Sequence, residues 1–169
     1  MGFPTQVNVV QALAVAGDFA SSNPRSTVDA GAGALTAGVG GVTVGRFAWV
    51  NAAVATVLNA GSGVPDGFIA RQQMALITTF LAEGSNVIPA GHPVTVFNGG
   101  DFFVTNGNVS ADSVKGQKAF ANLTTGAVRF AAAGTAISGD LAGHVETKFS
   151  VTSVGAVGEL VKISSHVLG

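Results

Sequence analysis

The sequence has no cysteine, no tyrosine and very little charge. Without cysteine there are no disulfides, no thiolate metal ligands and no cysteine nucleophile. Without tyrosine, and with a single tryptophan beside eleven phenylalanines, few rings can both stack on a sugar and offer it a hydrogen bond. Charged residues make up 10% of the chain, against roughly 25% in an average soluble protein. Eight basic and nine acidic residues leave a formal net charge of -1, so little repulsion keeps copies apart. Such a surface suits a protein covered by neighbours. Arg25, Arg46, Arg71 and Arg129 are widely separated, and no basic patch forms to release counterions from a nucleic acid. Nucleic acid is not an expected partner.

Other absences narrow the function. The opening MGFPTQVN has neither a basic nor an apolar region of a secretory signal, and Gln6 stands where a myristoylation signal wants serine or threonine. The uncharged window 47–65 approaches membrane-spanning length. It is broken by Asn51, Asn59, Gly61, Ser62 and Gly63, so it reads as strands and turns, with no membrane association. The glycines at 31, 33, 38, 40 and 41 do not spell a dinucleotide fingerprint, and no phosphate loop, nucleophile elbow or H-E-x-x-H is found. The nine acidic residues offer no obvious pair for glycoside hydrolysis. No catalytic residue, cofactor or metal is therefore expected, and the chain reads as a non-enzyme.

What is present is β pattern punctuated by glycine. VTVGRFAWV (42–50) is rich in β-branched and aromatic residues, with 53–58 as a short partner. Residues 94–97 and FFV (102–104) flank NGGD (98–101), which predicts a tight hairpin. QKAFAN and AVRFAA flank LTTG as a second hairpin, and ETKFSVTSV and VGELVKIS alternate as two more strands. The segment FIARQQMALITTFLAE (68–83) divides between a strand and an ambiguous remainder. Short strands at close spacing predict an all-β fold, a sandwich, jelly roll or barrel. Phe97, Phe102, Phe120, Phe130 and Phe149 fall within strand patterns and are expected in the core, as is Trp49.

Residues 1–41 fit that pattern poorly. Pro24 forces Asn23 out of the helical region, and the Gly/Ala stretch has no period. These residues are expected to form an extended N-terminal arm, with 42–169 as the β domain. Phe3 and Phe19 are expected anchors in pockets, on the chain's own body or on a partner. The histidines His92, His144 and His166 lie far apart and are expected at the surface or in turns. NGNVSAD (106–112) spaces oxygen side chains as calcium loops do, but has one carboxylate and no terminal glutamate. Asn108 and Asn122 begin glycosylation-type triplets that carry no meaning without a secretory signal.

The stretch GDFASSNPRSTVDAGAGALTAGVGGVTVGRFAWV (17–50), followed by GFIARQQMALITTFLAEGSNVIPAGHPVTVFNGGDFFV (67–104) and GQKAFANLTTGAVRFA (116–131), resembles the cement, or capsid decoration, proteins of tailed bacteriophages. The resemblance runs from Gly2 to the terminal GELVKIS. It implies a jelly-roll-like β-sandwich without catalytic residues, placed on the outer surface of the mature head. It also implies a partnership with the major capsid protein, whose neighbouring subunits it would clamp, and with itself as a dimer or trimer near local symmetry axes. On that reading Phe3, Phe19, Pro24, Arg25 and Leu35 are expected to contact the capsid or a neighbouring subunit. Pro24 would stiffen a bend and Arg25 would pair with a capsid carboxylate. A virion receptor- or carbohydrate-binding module is the alternative, and the missing tyrosines count against it.

Overall fold

A computed structural model of the chain describes residues 13–29, 33–72 and 86–166. Among these the chain forms β1 (Ser26–Thr27), β2 (Thr36–Ala37), β3 (Val42–Thr43), β4 (Phe47–Asn51), β5 (Thr56–Leu58), β6 (Gly67–Phe68), β7 (Val87–Ile88), β8 (Phe97–Gly99), β9 (Asp101–Thr105), β10 (Lys118–Asn122) and β11 (Val128–Ala131). A 3-10 turn at Gly139–Leu141, β12 (His144–Val151) and β13 (Leu160–Ser164) complete it. The fold is all-β, as the sequence predicts. Residues 73–85, where the ambiguous remainder of 68–83 falls, lie outside the described residues, as does Phe3.

The strands make a six-stranded sheet, β1-β8-β6-β4-β5-β2, a five-stranded sheet, β11-β10-β12-β13-β9, and the pair β3-β7. The two large sheets stack as a sandwich. Between them lie Phe47, Trp49, Phe68 and Phe97 from the first sheet and Phe102, Val104, Ala119, Ala121, Val128, Phe130, Phe149, Val151, Val161 and Ile163 from the second. Phe68 and Phe102 approach to 4.8 Å between ring centroids, and Phe47 and Phe149 to 5.5 Å. Such ring pairs add to the burial of apolar area.

The six-stranded sheet is buried on its other face as well. Ala48, Val57, Ile69 and Val96 alternate with the sandwich-facing residues and pack on Leu35, Ala37, Val42, Val44, Ile88 and Val94. A strand that is apolar on both sides has no polar alternation, which is why FAWV and FIA read as unbroken apolar runs.

Two expected elements differ from what forms. The NGGD stretch is not a hairpin, because β8 and β9 belong to different sheets. Gly100, at φ 137°, turns the chain from one layer to the other. A side chain there would press on the Phe102 ring at 3.0 Å. VTVGRFAWV is likewise two strands, because Gly45 at φ 78° breaks it. The LTTG hairpin forms as predicted: β10 and β11 pair antiparallel from Lys118↔Ala131 to Ala121↔Val128. Its turn is stapled by Asn122 Oδ1, which accepts bonds from the Thr124 and Thr125 amides.

Residues on both sides of position 41 meet in one sheet. β1 pairs antiparallel with β8, and β2 pairs parallel with β5. Residues 17–20 cover the outer edge of β9, through Gly17 N–H to Phe103 O (2.7 Å), Phe103 N–H to Asp18 O (2.9 Å) and Ala20 N–H to Asp101 O (2.9 Å). The edge of β11 is covered by Gly107 N–H to Val128 O and by Asn108 Oδ1 accepting from Phe130 N–H. Covering an edge removes a template for unwanted strand pairing.

Candidate contact surface

The residues singled out in the sequence divide between interior and surface. Phe19 packs edge-on against Phe97, with centroids 5.3 Å apart, and against Phe102 at 5.7 Å. It is an anchor on the chain's own body. Leu35 is buried in the second core layer, where its carbonyl accepts from Val94 N–H at 2.9 Å. Pro24 and Arg25 are exposed. The Arg25 guanidinium lies 3.6 Å above the centre of the Phe19 ring and donates to Ser21 O at 3.3 Å. A cation over an aromatic face is attracted by the ring quadrupole, so Arg25 is held in place yet open to solvent.

Below that strip sits Asp101, a residue the sequence did not single out. Its Oδ2 accepts from Ser21 Oγ at 2.5 Å and from Asn23 Nδ2 at 2.6 Å. Burial opposes ionisation of Asp101, but the nearby Ser164 hydroxyl, the hydrogen bonds from Ser21 and Asn23 and the charge of nearby His166 outweigh it. Together they hold the carboxyl below its ordinary value. His166 Nε2 lies 3.1 Å from Pro24 O, and Ser165 Oγ accepts from Gly100 N–H at 2.8 Å. Three stretches far apart in sequence (21–26, 98–101 and 164–166) are thus tied at one corner. The signal in the sequence was NGGD: its glycines leave room for the strip, since a side chain on Gly99 would strike Ser26 Oγ.

The strip continues into β1, the end strand of its sheet, whose two residues are both exposed. Beyond β8, no described strand pairs with it. An edge that no described strand covers presents main-chain donors and acceptors to whatever lies alongside.

The remaining expectations can be placed. Asn106 and Asn108 staple loops: Asn106 Nδ2 donates to Gly155 O (3.1 Å) and Ala156 O (3.2 Å), and Asn108 Nδ2 to Ala111 O (3.1 Å). Their amide oxygens accept from backbone amides, so those oxygens are already engaged. Among the described residues no group of three or more histidine, aspartate or glutamate side chains comes together. His144, expected at the surface or in a turn, is instead buried at the start of β12. Its Nδ1 meets Ala142 O at 3.0 Å and its Nε2 lies 3.4 Å from Asn122 Nδ2, so it braces the LTTG turn. Trp49 is 8% exposed, with Nε1 bonded to Gly63 O.

The sequence matches the profile of the family described as XM1 gp53 minor capsid protein over residues 3–165. The chain belongs to that family. It is therefore a phage minor capsid protein, a structural component of the virion. A solved structure described as the capsid of Myoviridae phage XM1 contains a similar chain, with a TM-score of 0.67 and 17% identity. The match covers 98% of this chain and 98% of that one. At that identity the likeness speaks for the shared fold. Among curated proteins no sequence matches. A structural family accords with a sequence in which no catalytic motif was found.

Proposed function

We propose that this minor capsid protein is a cement protein. It binds the outer surface of the head and bridges neighbouring major capsid subunits, as a dimer or trimer near local symmetry axes. The observation that carries the reading is the strip 22–27, exposed yet fixed. Its backbone is tied down through Asp101, His166 and β8, while Ser22, Pro24, Arg25 and the open edge of β1 face outward. A surface ordered before binding loses little entropy on docking. Its main chain can add to an exposed edge of a capsid subunit, and Arg25 can meet a carboxylate there. Repeated over a shell, a modest contact per copy becomes a strong assembly when each copy spans two neighbours.

Removing residues 1–27 would also remove Phe19 and β1, so the test uses point changes. Ser22→Trp alters the strip without touching the core, and Arg25→Glu reverses its charge while also removing the cation above Phe19. Purified protein is added to expanded shells that lack it, and bound protein is measured by sedimentation. Both variants are expected to bind roughly tenfold or more weakly, with unchanged far-UV circular dichroism. Decorated shells are expected to survive heating that opens bare ones. Wild-type shells that open at the same temperature with or without the protein would refute the clamp.

The burial of the aromatic rings counts against a carbohydrate-binding role. Each described phenylalanine except Phe19 is buried, and Phe19 is covered by Arg25.

A further inference from the structure

The outer face of the five-stranded sheet carries a second feature. Ala119, Ala121, Phe149, Val151, Val161 and Ile163 point into the sandwich, so the residues alternating with them point out. These include Lys118 on β10, Lys148 and Ser150 on β12, and Lys162 and Ser164 on β13. The register sets Lys118 opposite Ser150 and Ser150 opposite Ser164. Lys148 is two residues along β12 from Ser150, and Lys162 lies diagonally across on β13. The three lysines surround Ser150, each about 5–8 Å from it between Cα atoms.

The backbone helps to gather them. From Lys118 to Phe120 the partners on β12 run from Ser150 to Glu146, so β12 bulges there. The Lys148 carbonyl accepts from Lys118 Nζ at 3.3 Å. Bulges of this kind re-aim side chains. Lys162 Nζ lies 5.4 Å over the ring of Phe103, which shares this face.

No carboxylate pairs with these lysines among the described residues, where the one ion pair is Arg71 with Asp18 at 3.5 Å. Two carboxylates do lie on the same face, and both accept from neutral donors instead. Glu146 is bonded by Gly134 N–H, and Asp101 by Ser21 and Asn23. Three of the chain's eight basic residues thus share one face with two carboxylates, none of the three in an ion pair among the described residues. Like charges on neighbouring strands are unfavourable, and a carboxylate from outside would relieve them.

We propose that this face receives a carboxylate-rich segment of a different capsid protein, giving the chain a second contact beside the strip 22–27. That the partner is a capsid protein rests on the reading above. A second copy of this chain is a poor match, because its nine acidic residues are dispersed along the sequence and several are engaged in the chain's own bonds. Val50 N–H holds Asp66, Ala156 N–H holds Glu159, and Arg71 pairs with Asp18. The lysine face adjoins the strip through His166, two residues beyond Ser164 and in contact with Pro24 O.

The test compares wild type, the triple variant Lys118→Glu/Lys148→Glu/Lys162→Glu, and Ser22→Trp. Each full-length chain is titrated against a fluorescent ten-residue glutamate-rich peptide, against duplex DNA, and against expanded shells at low and high salt. Wild type and Ser22→Trp are expected to bind the peptide in a salt-sensitive manner. The charge-reversed chain is expected to bind it roughly tenfold or more weakly, and to bind shells correspondingly less, with its circular dichroism unchanged. The proposal is overturned if wild type does not bind the peptide, if charge reversal leaves shell binding intact, or if DNA is preferred to the peptide. Wild type that binds peptide but not shells would remove the cement reading and leave an acidic partner of another kind.

Discussion

The five-stranded sheet and the six-stranded sheet share a core but are built differently. The first uses strands of four to eight residues in antiparallel order, with β10 and β11 joined by a short turn. The second uses strands of two to five residues, gathered from residues 26 to 99, and includes one parallel pairing. Pieces so short cannot hold together by ladder bonds alone. They are held by apolar packing on both faces and by side-chain staples. Asn59, for example, accepts from Thr43 N–H at 2.6 Å and donates to Phe47 O at 2.9 Å. One half of the molecule rests on longer antiparallel ladders, and the other on tertiary contact.

The contrast is broken most severely where the halves meet. Phe102 is fully buried and lies within 6.0 Å, between centroids, of Phe19, Phe68, Phe97 and Phe149. Phe102→Ala removes the ring that joins both sheets and the N-terminal segment. It is expected to cost about 3–5 kcal/mol and to lower Tm by roughly 10 °C or more. Thermal unfolding followed by circular dichroism measures it. Were the two sheets to unfold separately in the variant, each would hold a more independent core than the packing implies.

The same contrast explains what could be read from sequence. LTTG between alternating runs, and the alternation of ETKFSVTSV, are local signals, and the strands they predict are present. In the six-stranded sheet both faces are apolar, so alternation vanishes and strand limits cannot be read. NGGD carries a hairpin's residues, yet Gly100 changes layers. Only tertiary packing decides that. For the contact surface, Pro24 and Arg25 stood out in the sequence and lie at the surface. Leu35 lies in the interior and Phe19 packs half-buried against the core, because a Gly/Ala-rich ribbon gives no sign of which side it buries. Asp101 is not legible in the sequence because its partners are 63 to 80 residues away. The lysines around Ser150 were missed because register, not spacing, brings them together.

Glycine substitution sharpens the comparison at intermediate cost. In β6, a side chain on Gly67 would strike the backbone carbonyl of Phe97 on the adjoining strand. Backbone yields less readily than a side chain, so Gly67→Ala is expected to cost about 1–3 kcal/mol. Gly134, between β11 and β12, has open space around it and a φ of 71°. Gly134→Ala meets only the backbone preference, about 1 kcal/mol. Chemical denaturation of the pair measures the difference. Equal losses would mean that the six-stranded sheet moves to admit a methyl group, and that its close approaches are less binding than proposed.

The smallest effect concerns the bonds that fasten the strip. Asp101 has a lowered carboxyl pKa in the folded chain, so its contribution to stability is present above the unfolded value of about 3.9. It is lost as pH falls through the still lower folded value. Asp101→Asn removes the charge at every pH and keeps a similar shape. The carboxyl group is only partly shielded from water, so the variant should melt just a degree or two below wild type at pH 7. That gap should close as pH falls through the lowered folded-state pKa, where wild-type Asp101 also becomes neutral. A gap that stays the same size from pH 7 to the acid end of the Asp101 titration would show that shape, not charge, fixes the strip. The open edge of β1 would then keep its position under acid conditions, and shell binding through it would not depend on the ionisation of Asp101.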